Sequence, residues 1–398
     1  MHKRARHIVN ILRENGYIAY YAGGWVRDYL LGVDSDDIDI ATNASPDVIE
    51  KLFKHTIPIG KAFGIVLVVL GEHSYEVATF RKDLSYKDGR RPDKIEFTTP
   101  LEDAKRRDFT INGMFFDPIK EEIIDFVGGE KDLNKKIIRA IGDPHERIKE
   151  DRLRMVRAIR LSIKFDFTID DALKKAIIFH AEELLKYVAI ERIYQEIYKM
   201  SKYKNFKKGL ISFYDYKILQ TIFPLLKIER SLLEERLRCL EYIPNNAPAI
   251  AKILELFPDY SLEEKISLCR YLKLSNKEIN FVTYYDRFKE FHNGSDYELA
   301  YLYSNKYSDL VLKIIASHLS LEEKKNFFKK HENKKKELAK YIERIKKRDP
   351  IIKALHLKKE GIEPGPLMGY LLKEAEKISI NEKIEDEKTI LSKLKSCF

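Results

Sequence analysis

Asp37 and Asp39 are separated by one residue in a run whose other members, Ile38 and Ile40, are aliphatic. This alternation predicts a β-strand over Asp37–Ala41. Side chains two residues apart along a strand share a face and lie about 7 Å apart. Carboxylate oxygens are the ligands that Mg²⁺ prefers, and substrate phosphates complete its shell. The pair therefore predicts a divalent-metal site that would activate an attacking hydroxyl and stabilise a leaving pyrophosphate.

Candidate phosphate-binding groups precede the two aspartates. Gly23 and Gly24 are predicted to end a strand and open a helix, where backbone N–H groups and the positive helix end favour an anion. Arg27 falls in the first turn of that helix, where it could clamp a triphosphate. An isolated Asp-x-Asp or Gly-Gly is weak evidence, because both are common in turns. The whole string, ending at Asp39, is far more specific.

A second polar string runs from Arg106 to Met114. Arg107 offers a planar fork for phosphate, while Asp108 and Asn112 can hold a sugar hydroxyl or order the loop. Taken alone, two adjacent arginines would indicate only an exposed helix end.

A third string, Glu150–Arg160, is predicted to be helical, with one polar stripe formed by residues three apart: Asp151, Arg154, Arg157 and Arg160. Asp151 would accept a hydrogen bond from the exocyclic amino group shared by cytosine and adenine, and Arg154 would donate to a ring nitrogen or carbonyl. Uracil and guanine present a carbonyl instead and would be disfavoured. The alternative is a solvated ladder of salt bridges.

Together these strings resemble the motifs of the class II tRNA nucleotidyltransferases and bacterial poly(A) polymerases, within the polymerase-β-like superfamily. The resemblance implies Mg²⁺-dependent transfer of a nucleotide from an NTP to an RNA 3′-hydroxyl, with Asp37 and Asp39 as catalytic metal ligands. It also implies a set of nucleotide-binding residues: Gly24, Arg27, Arg107, Asp108, Asn112, Asp151, Arg154, Arg157 and Arg160. A fourth similar string, Ala189–Glu196, is interpreted as bracing the neck helices. Gly113 and Arg152 depart from the family, which usually has Ala and Pro there.

The members of this family differ in what they add. Poly(A) polymerases typically carry an arginine-rich stretch that Gly60–Gly64 lacks, and the loop Lys82–Asp93, associated with the final adenosine, argues against a CC-only enzyme. The expected function is therefore template-independent addition of C and A from CTP and ATP to the 3′ end of tRNA. An A-adding enzyme and a poly(A) polymerase remain alternatives. So does a non-catalytic RNA-binding protein, although the intact Asp37/Asp39 pair weighs against it.

The elements that must position these residues change in character along the chain. Before about residue 140, helices alternate with short runs predicted to be strands: Tyr17–Tyr21, Asp37–Ala41, Ile65–Leu70, Tyr75–Phe80, Glu122–Phe126 and Lys136–Ala140. Helical patterns follow, so we expect an α/β nucleotidyltransferase head followed by an all-α neck, body and tail. The predicted divisions are head 1–140, neck 141–202, body 203–320 and tail 321–398.

Glu76, on a predicted strand Tyr75–Phe80, is either a third carboxylate or a surface residue.

Composition agrees with a nucleic-acid partner. The net charge is 73 − 63 = +10, and Leu321–Pro350 carries twelve Lys or Arg against six Asp or Glu, so this basic segment is predicted to contact tRNA phosphates.

The longest aliphatic run, Ile65–Leu70, is far shorter than the roughly 20 residues of a membrane helix. Three widely spaced cysteines predict neither a disulfide scaffold nor a zinc motif, and the expected location is the cytoplasm.

Overall fold

A computed structural model describes residues 2–84 and 95–395. The chain divides into two compact units, one ending at Glu234 and the other beginning at Glu235. This division falls inside the segment 203–320 that the sequence predicts as a body. The finer four-part division stays a prediction.

The first unit contains all the described strands and the helices around them. Its strands are β1 (Ala19–Ala22), β2 (Asp39–Thr42), β3 (Thr56–Gly60), β4 (Ile65–Leu70), β5 (His73–Thr79), β6 (Arg81–Asp83), β7 (Ile95–Phe97), β8 (Phe115–Asp117), β9 (Glu122–Ile124), β10 (Ile137–Ile138) and β11 (Thr168–Ile169). Its helices are α1 (His2–Glu14), α2 (Gly24–Leu30), α3 (Pro46–Leu52), α4 (Pro100–Lys105), α5 (Gly129–Asn134), α6 (Pro144–Glu150), α7 (Leu153–Phe165), α8 (Asp171–His180), α9 (Leu184–Tyr187), α10 (Ile190–Met200), α11 (Phe206–Asp215) and α12 (Ile218–Ile222), with α13 (Arg230–Arg236) spanning the division.

A seven-stranded mixed sheet forms the centre of this unit, with the order β3-β4-β5-β2-β1-β8-β9. Strands β2 and β5 pair in parallel, whereas every other described pair in this sheet is antiparallel. Tyr21, Ile40, Val77 and Phe115 are fully or almost fully buried, so the middle strands are anchored in the core. This order places β2, which carries Asp39, beside both β1 and β5.

The strand predictions are correct for the strong patterns and wrong at weak ones. The predicted strand Ile65–Leu70 is confirmed residue for residue as β4. The sequence pattern does not predict β3 or β8, since β3 contains Pro58 at the edge of the sheet and β8 has only three residues. The predicted strand Lys136–Ala140 is reduced to the two residues of β10, which pair with β11 outside the main sheet.

The second unit is helical throughout its described residues. Its helices are α14 (Ala249–Ile253), α15 (Leu262–Tyr271), α16 (Asn276–Phe291), α17 (Asp296–Ser304), α18 (Ser308–Ala316), α19 (Leu321–Glu337), α20 (Ala339–Lys347), α21 (Ala354–Lys359), α22 (Pro366–Asn381) and α23 (Glu387–Leu394), with short 3₁₀ helices at Leu237–Glu241 and Leu254–Leu256. Capping boxes, in which a serine and a glutamate three residues later exchange hydrogen bonds, begin α15, α16, α17 and α19. Of the helices described in either unit, none is both long and apolar enough to cross a bilayer.

Candidate active site

Asp39 is the first residue of β2 and is half-buried, between the buried Ile38 and Ile40. Asp37 is exposed and precedes the strand, so the predicted strand start is wrong by two residues. The reason is long-range pairing. Asp39 lies opposite Ala22, which is the last residue of β1. After Ala22 the chain turns into α2, so β1 does not extend far enough to pair with Asp37. The alternation of burial nevertheless continues back to Asp37, as the sequence pattern predicts.

A third carboxylate, Glu76, lies on the strand next to Asp39. Ile40 on β2 pairs with Val77 on β5, and both are buried, so Asp39 and Glu76 precede them on the opposite, open face. Burial, then the negative charges of Glu76 and Asp37, raise the pKa of Asp39 to about 7. Three carboxylates that repel one another on an open face match the oxygen donor set of a hard divalent cation.

Gly23 brings a cationic group close to these carboxylates. Its φ of 71° lies in the left-handed region, and a Cβ there would sit 2.9 Å from Arg107 Nη1 and 3.8 Å from Asp39 Oδ2. Glycine is therefore required both for the backbone turn and for space. The predicted phosphate ligand Arg107 and the predicted metal ligand Asp39 both lie close to this one backbone position.

Arg107 is held in place by a buried carboxylate on α4. Its Nη2 and Nε donate to Asp103 Oδ2 at 3.0 and 3.3 Å, and its guanidinium stacks 5.1 Å from the centre of the Phe115 ring. Burial alone would raise the pKa of Asp103, but Arg107 and Arg106 outweigh it and lower that pKa. Asp103, which sequence analysis did not single out, thus positions Arg107 beside the carboxylates.

Three of the sequence strings meet in one hydrogen-bonded chain, Arg27–Asn112–Asp108–Arg157, here called the motif network. Arg27 donates to Asn112, Asn112 Nδ2 donates to Asp108 Oδ1 at 3.0 Å, and Arg157 donates two bonds to Asp108 Oδ2 at 2.9 and 2.6 Å. Burial disfavours the charged form of Asp108, but Arg157 and Asn112 more than compensate, so the pKa of Asp108 lies well below its usual range. Four predicted nucleotide-binding residues are therefore mutually positioned.

Asp151 lies outside the helix that the sequence predicts for it. Its backbone is extended, it ends α6, and α7 begins only at Leu153. Its Oδ1 accepts from the Leu153 backbone N–H at 3.0 Å, and its Oδ2 accepts from Arg192 Nη2 at 3.0 Å. The predicted four-residue helical stripe is thus wrong at its first member, because Asp151 instead receives the first free N–H groups of α7.

Arg154 does lie on α7, and it is buried against the preceding helix. Its Nη1 donates to the Arg147 carbonyl at 2.8 Å and to Glu150 Oε2 at 2.6 Å. Its Nη2 is 3.5 Å from the carbonyl of Arg106, a weak contact that leaves this nitrogen available for a base. The structure thus fixes the orientation of Arg154 through its other nitrogen.

Arg160, the last residue of the predicted stripe, is bound by a carboxylate of the fourth string. It donates to Glu196, which is 3% exposed and lies on α10. Arg192 on the same helix holds Asp151, as described above. Both contacts agree with the bracing role predicted for Ala189–Glu196, while the assignment of Arg160 to the nucleotide stays a prediction.

The predicted adenosine-associated loop, Lys82–Asp93, lies mostly outside the described residues, since the structure describes 82–84 of it and resumes at 95. The described residues therefore exclude five members of this loop: Tyr86, Asp88, Gly89, Arg90 and Arg91.

The buried Arg160–Glu196 pair gives a first prediction. Glu196→Gln should lower the free energy of unfolding by about 3–5 kcal/mol, because it leaves the buried Arg160 charge without its counter-ion. Urea denaturation of the full chain measures this change. Glu191→Gln, an exposed glutamate on the same helix, is the matched control and should change stability by less than about 0.5 kcal/mol. Equal stabilities of the two variants would show that the pair does not brace the neck.

Comparison with known proteins shows to which family this chain belongs. The family model "Poly A polymerase head domain" matches residues 19–139, a model for a probable RNA and SrmB-binding site of polymerase A matches 166–229, and a model for domain 2 of tRNA nucleotidyltransferases matches 243–394. With the carboxylates on the head sheet, these matches define a nucleotidyltransferase of the poly(A) polymerase head class. The CCA-adding enzyme of Ligilactobacillus salivarius is 35% identical over 98% of this chain and 95% of its own length. The chain belongs to the CCA-adding enzyme family.

Solved structures agree over the whole chain. The CCA-adding enzyme of Bacillus stearothermophilus in complex with CTP superposes with a TM-score of 0.83, at 26% identity, over 99% of this chain and 96% of its own. The Thermotoga maritima CCA-adding enzyme complexed with tRNA superposes with a TM-score of 0.66, at 23% identity, over 99% and 95%. The predicted fold class, an α/β head followed by helical segments, is confirmed.

Proposed function

We propose that this chain adds C and A from CTP and ATP to the 3′ end of tRNA, without a template and with release of pyrophosphate. The observation that carries the proposal is the arrangement of three carboxylates beside Arg107: Asp37, Asp39 and Glu76. Arg107 directly precedes Asp108, which belongs to the motif network. The names of the related enzymes support the same activity.

The proposed cofactor is Mg²⁺, held by Asp37 and Asp39, with Glu76 as a third carboxylate. When bound, Mg²⁺ would lower the pKa of the attacking 3′-hydroxyl and offset charge on the departing pyrophosphate. Arg107 is the protein's own counter-charge: it already opposes the raised pKa of Asp39 and would contact the triphosphate as its charge redistributes. Gly24 and Arg27, at the start of α2, complete the proposed triphosphate site.

The motif network orients the sugar of the bound nucleotide, and two further residues orient its base. Asp108 and Asn112 have acceptor and donor groups for a ribose hydroxyl, while Arg157 fixes the Asp108 carboxylate. Asp151 and Arg154 face the base, and Arg192 and Glu150 hold those two side chains. Since both C and A present an amino group to Asp151, one rigid pair selects both nucleotides.

Labelled CTP and ATP, offered with tRNA transcripts that lack CCA, end in C or end in CC, test the proposal. We expect CTP incorporation on the first two and ATP incorporation only after two cytidines. ATP incorporation restricted to CC-ended tRNA would identify an A-adding enzyme, and long A tails a poly(A) polymerase. Absence of incorporation, with RNA binding retained, would identify a binding protein. The cytoplasm, where tRNA and both NTPs meet, is the proposed location.

The basic segment Leu321–Pro350 is proposed to contact tRNA phosphates, but not through its three consecutive lysines, Lys334–Lys336. Lys334 pairs with Asp296 and Glu337 at 2.7 and 2.9 Å, and Lys335 and Lys336 also form ion pairs. Reversing these charges would therefore disturb local pairs as well as tRNA binding. Other lysines of α19 are better placed for phosphate.

Lys325 and Lys329 are exposed, one helical turn apart, and form no ion pair within the part of the chain that the structure describes. Reversing both to glutamate should raise the KM for tRNA and reduce the slope of log affinity against log salt by about 1–2, while kcat and the KM for CTP stay unchanged. The control is Lys273→Glu with Lys277→Glu, the same spacing and charge change outside the basic segment. Equal tRNA affinities for both double variants at low and high salt would refute this contact.

A further inference from the structure

Three side chains with metal-binding chemistry meet in the second unit, outside the nucleotidyltransferase motifs. They are Cys239 in the 3₁₀ helix Leu237–Glu241, Glu255 in the 3₁₀ helix Leu254–Leu256, and His318 just after α18. One ligand atom from each lies within 4.8 Å of those of the other two. The separation of these residues along the chain explains why no metal motif is visible in the sequence.

The distances suit a small cation. His318 Nε2 lies 3.4 Å from Glu255 Oε2. In a tetrahedral zinc site with bonds of about 2.0–2.3 Å, neighbouring ligand atoms are about 3.3–3.8 Å apart. The nitrogen and oxygen are therefore already at the required spacing, and the sulfur, which lies within 4.8 Å of both, can complete a three-ligand face of such a site.

The surroundings favour a cation over the present hydrogen bonds. Cys239 and Glu255 are each 6% exposed, whereas the side chain of His318 is 40% exposed and opens the cluster to solvent. The Cys239 thiol donates to the Arg236 carbonyl oxygen at 3.5 Å. A buried carboxylate beside a thiol gains little from this arrangement and would gain a counter-charge from a metal.

The same unit holds a further buried polar group. The Tyr285 hydroxyl, on α16, is buried and has no hydrogen-bond partner among the described residues. Burial, then the charges of Glu255 and Cys239, raise the pKa of this hydroxyl.

We propose that Cys239, Glu255 and His318 bind one Zn²⁺ ion, with water in the fourth position. Mixed sulfur, nitrogen and oxygen ligands select zinc over Mg²⁺, which prefers oxygen alone. Binding forms a Zn–S bond and releases the thiol proton to solvent. The ion would link the two 3₁₀ helices to the end of α18, and this role is independent of the nucleotidyl transfer proposed for the head.

The test uses the full chain, stripped of metal by a chelator, with Zn²⁺ binding followed by calorimetry and Co²⁺ binding followed by absorbance. With excess Mg²⁺ present to occupy the carboxylates of the head, we expect one Zn²⁺ per chain, a higher thermal midpoint with Zn²⁺, and a thiolate-to-Co²⁺ charge-transfer band. His318→Gln should weaken Zn²⁺ binding at least about tenfold, and Cys239→Ser should abolish the band. His318 is solvent-exposed, so its variant keeps the test valid even if Cys239→Ser folds poorly.

Matched controls exist in the same unit. Cys269→Ser removes a second buried thiol, and His356→Gln removes a histidine that lies 3.5 Å from Glu387 and belongs to no three-ligand cluster among the described residues. Both should bind Zn²⁺ and Co²⁺ as the unmodified chain does. Equal Zn²⁺ affinity for His318→Gln and the unmodified chain would overturn the proposal, as would a Co²⁺ spectrum without a thiolate band.

Discussion

Asp39→Asn is expected to reduce CTP and ATP incorporation by more than about a hundredfold while leaving tRNA affinity nearly unchanged, because Asp39 is proposed to hold the Mg²⁺ that would stabilise the transition state. Asp37→Asn should give a loss of the same scale. Single-turnover incorporation into tRNA lacking CCA measures the chemical step, and a filter-binding assay measures tRNA affinity. Asp34→Asn, an exposed aspartate just upstream, is the control and should retain activity.

The structure adds a stability signature to this prediction. In the folded chain the pKa of Asp39 is raised to about 7, above the roughly 3.9 of an unfolded chain. A carboxyl whose pKa rises on folding favours the folded state only while it is protonated, so its ionisation between about pH 4 and pH 7 reduces stability. Without Mg²⁺ at pH 8, Asp39→Asn should therefore raise the thermal midpoint although it abolishes activity. A lower midpoint, or near-normal turnover, would contradict the site assignment.

Glu76 is proposed as a third carboxylate of the same site. From the sequence it is either a carboxylate ligand or a surface residue, because an exposed strand position looks the same in both cases. The parallel pairing of β2 with β5 places Glu76 on the strand next to Asp39. After burial, the charge of Glu76 is the strongest cause of the raised pKa of Asp39. Only the register between strands far apart in sequence could place it there.

Features that depend on residues close together in the chain could be predicted from the sequence, whereas features that depend on distant residues could not. Gly23, Arg107 and Asp39 could be identified because each lies in a short string with unusual composition. The start of β2 could not be predicted, since it depends on where β1 ends. The support of Asp151 by Arg192 and of Arg160 by Glu196 joins residues 41 and 36 positions apart, for which no local pattern exists.

The difference matters most at Asp151, where the prediction of a helical stripe misses the true geometry. On a helix, Asp151 would be one of four similar surface charges. In the turn before α7, one of its oxygens accepts from the Leu153 N–H at the start of that helix and the other is held by Arg192. A carboxylate fixed at both oxygens is preorganised, so it can discriminate between bases with little loss of side-chain entropy.

Asp151→Asn should therefore relax selection against UTP and GTP by about ten- to a hundredfold, since an amide can donate to the carbonyl that these bases present where C and A have an amino group. Asparagine keeps the side-chain oxygen that caps α7, so the helix start survives, whereas Asp151→Ala would lose about 1 kcal/mol of capping as well. Relative kcat/KM values for the four NTPs on tRNA lacking CCA measure the effect. Unchanged selectivity in Asp151→Asn would make this residue a cap and nothing more.

Arg192→Ala separates positioning from base contact. It leaves the Asp151 carboxylate and its bond to Leu153 in place but removes the partner of Oδ2. We expect slower use of CTP and ATP together, with little gain for UTP or GTP, because a carboxylate cannot donate to their carbonyls. Arg192→Lys should restore part of the rate by restoring the positive charge without the planar fork. If Arg192→Ala relaxed selectivity as much as Asp151→Asn, base choice would depend on the position of the turn and not on the chemistry of the Asp151 side chain.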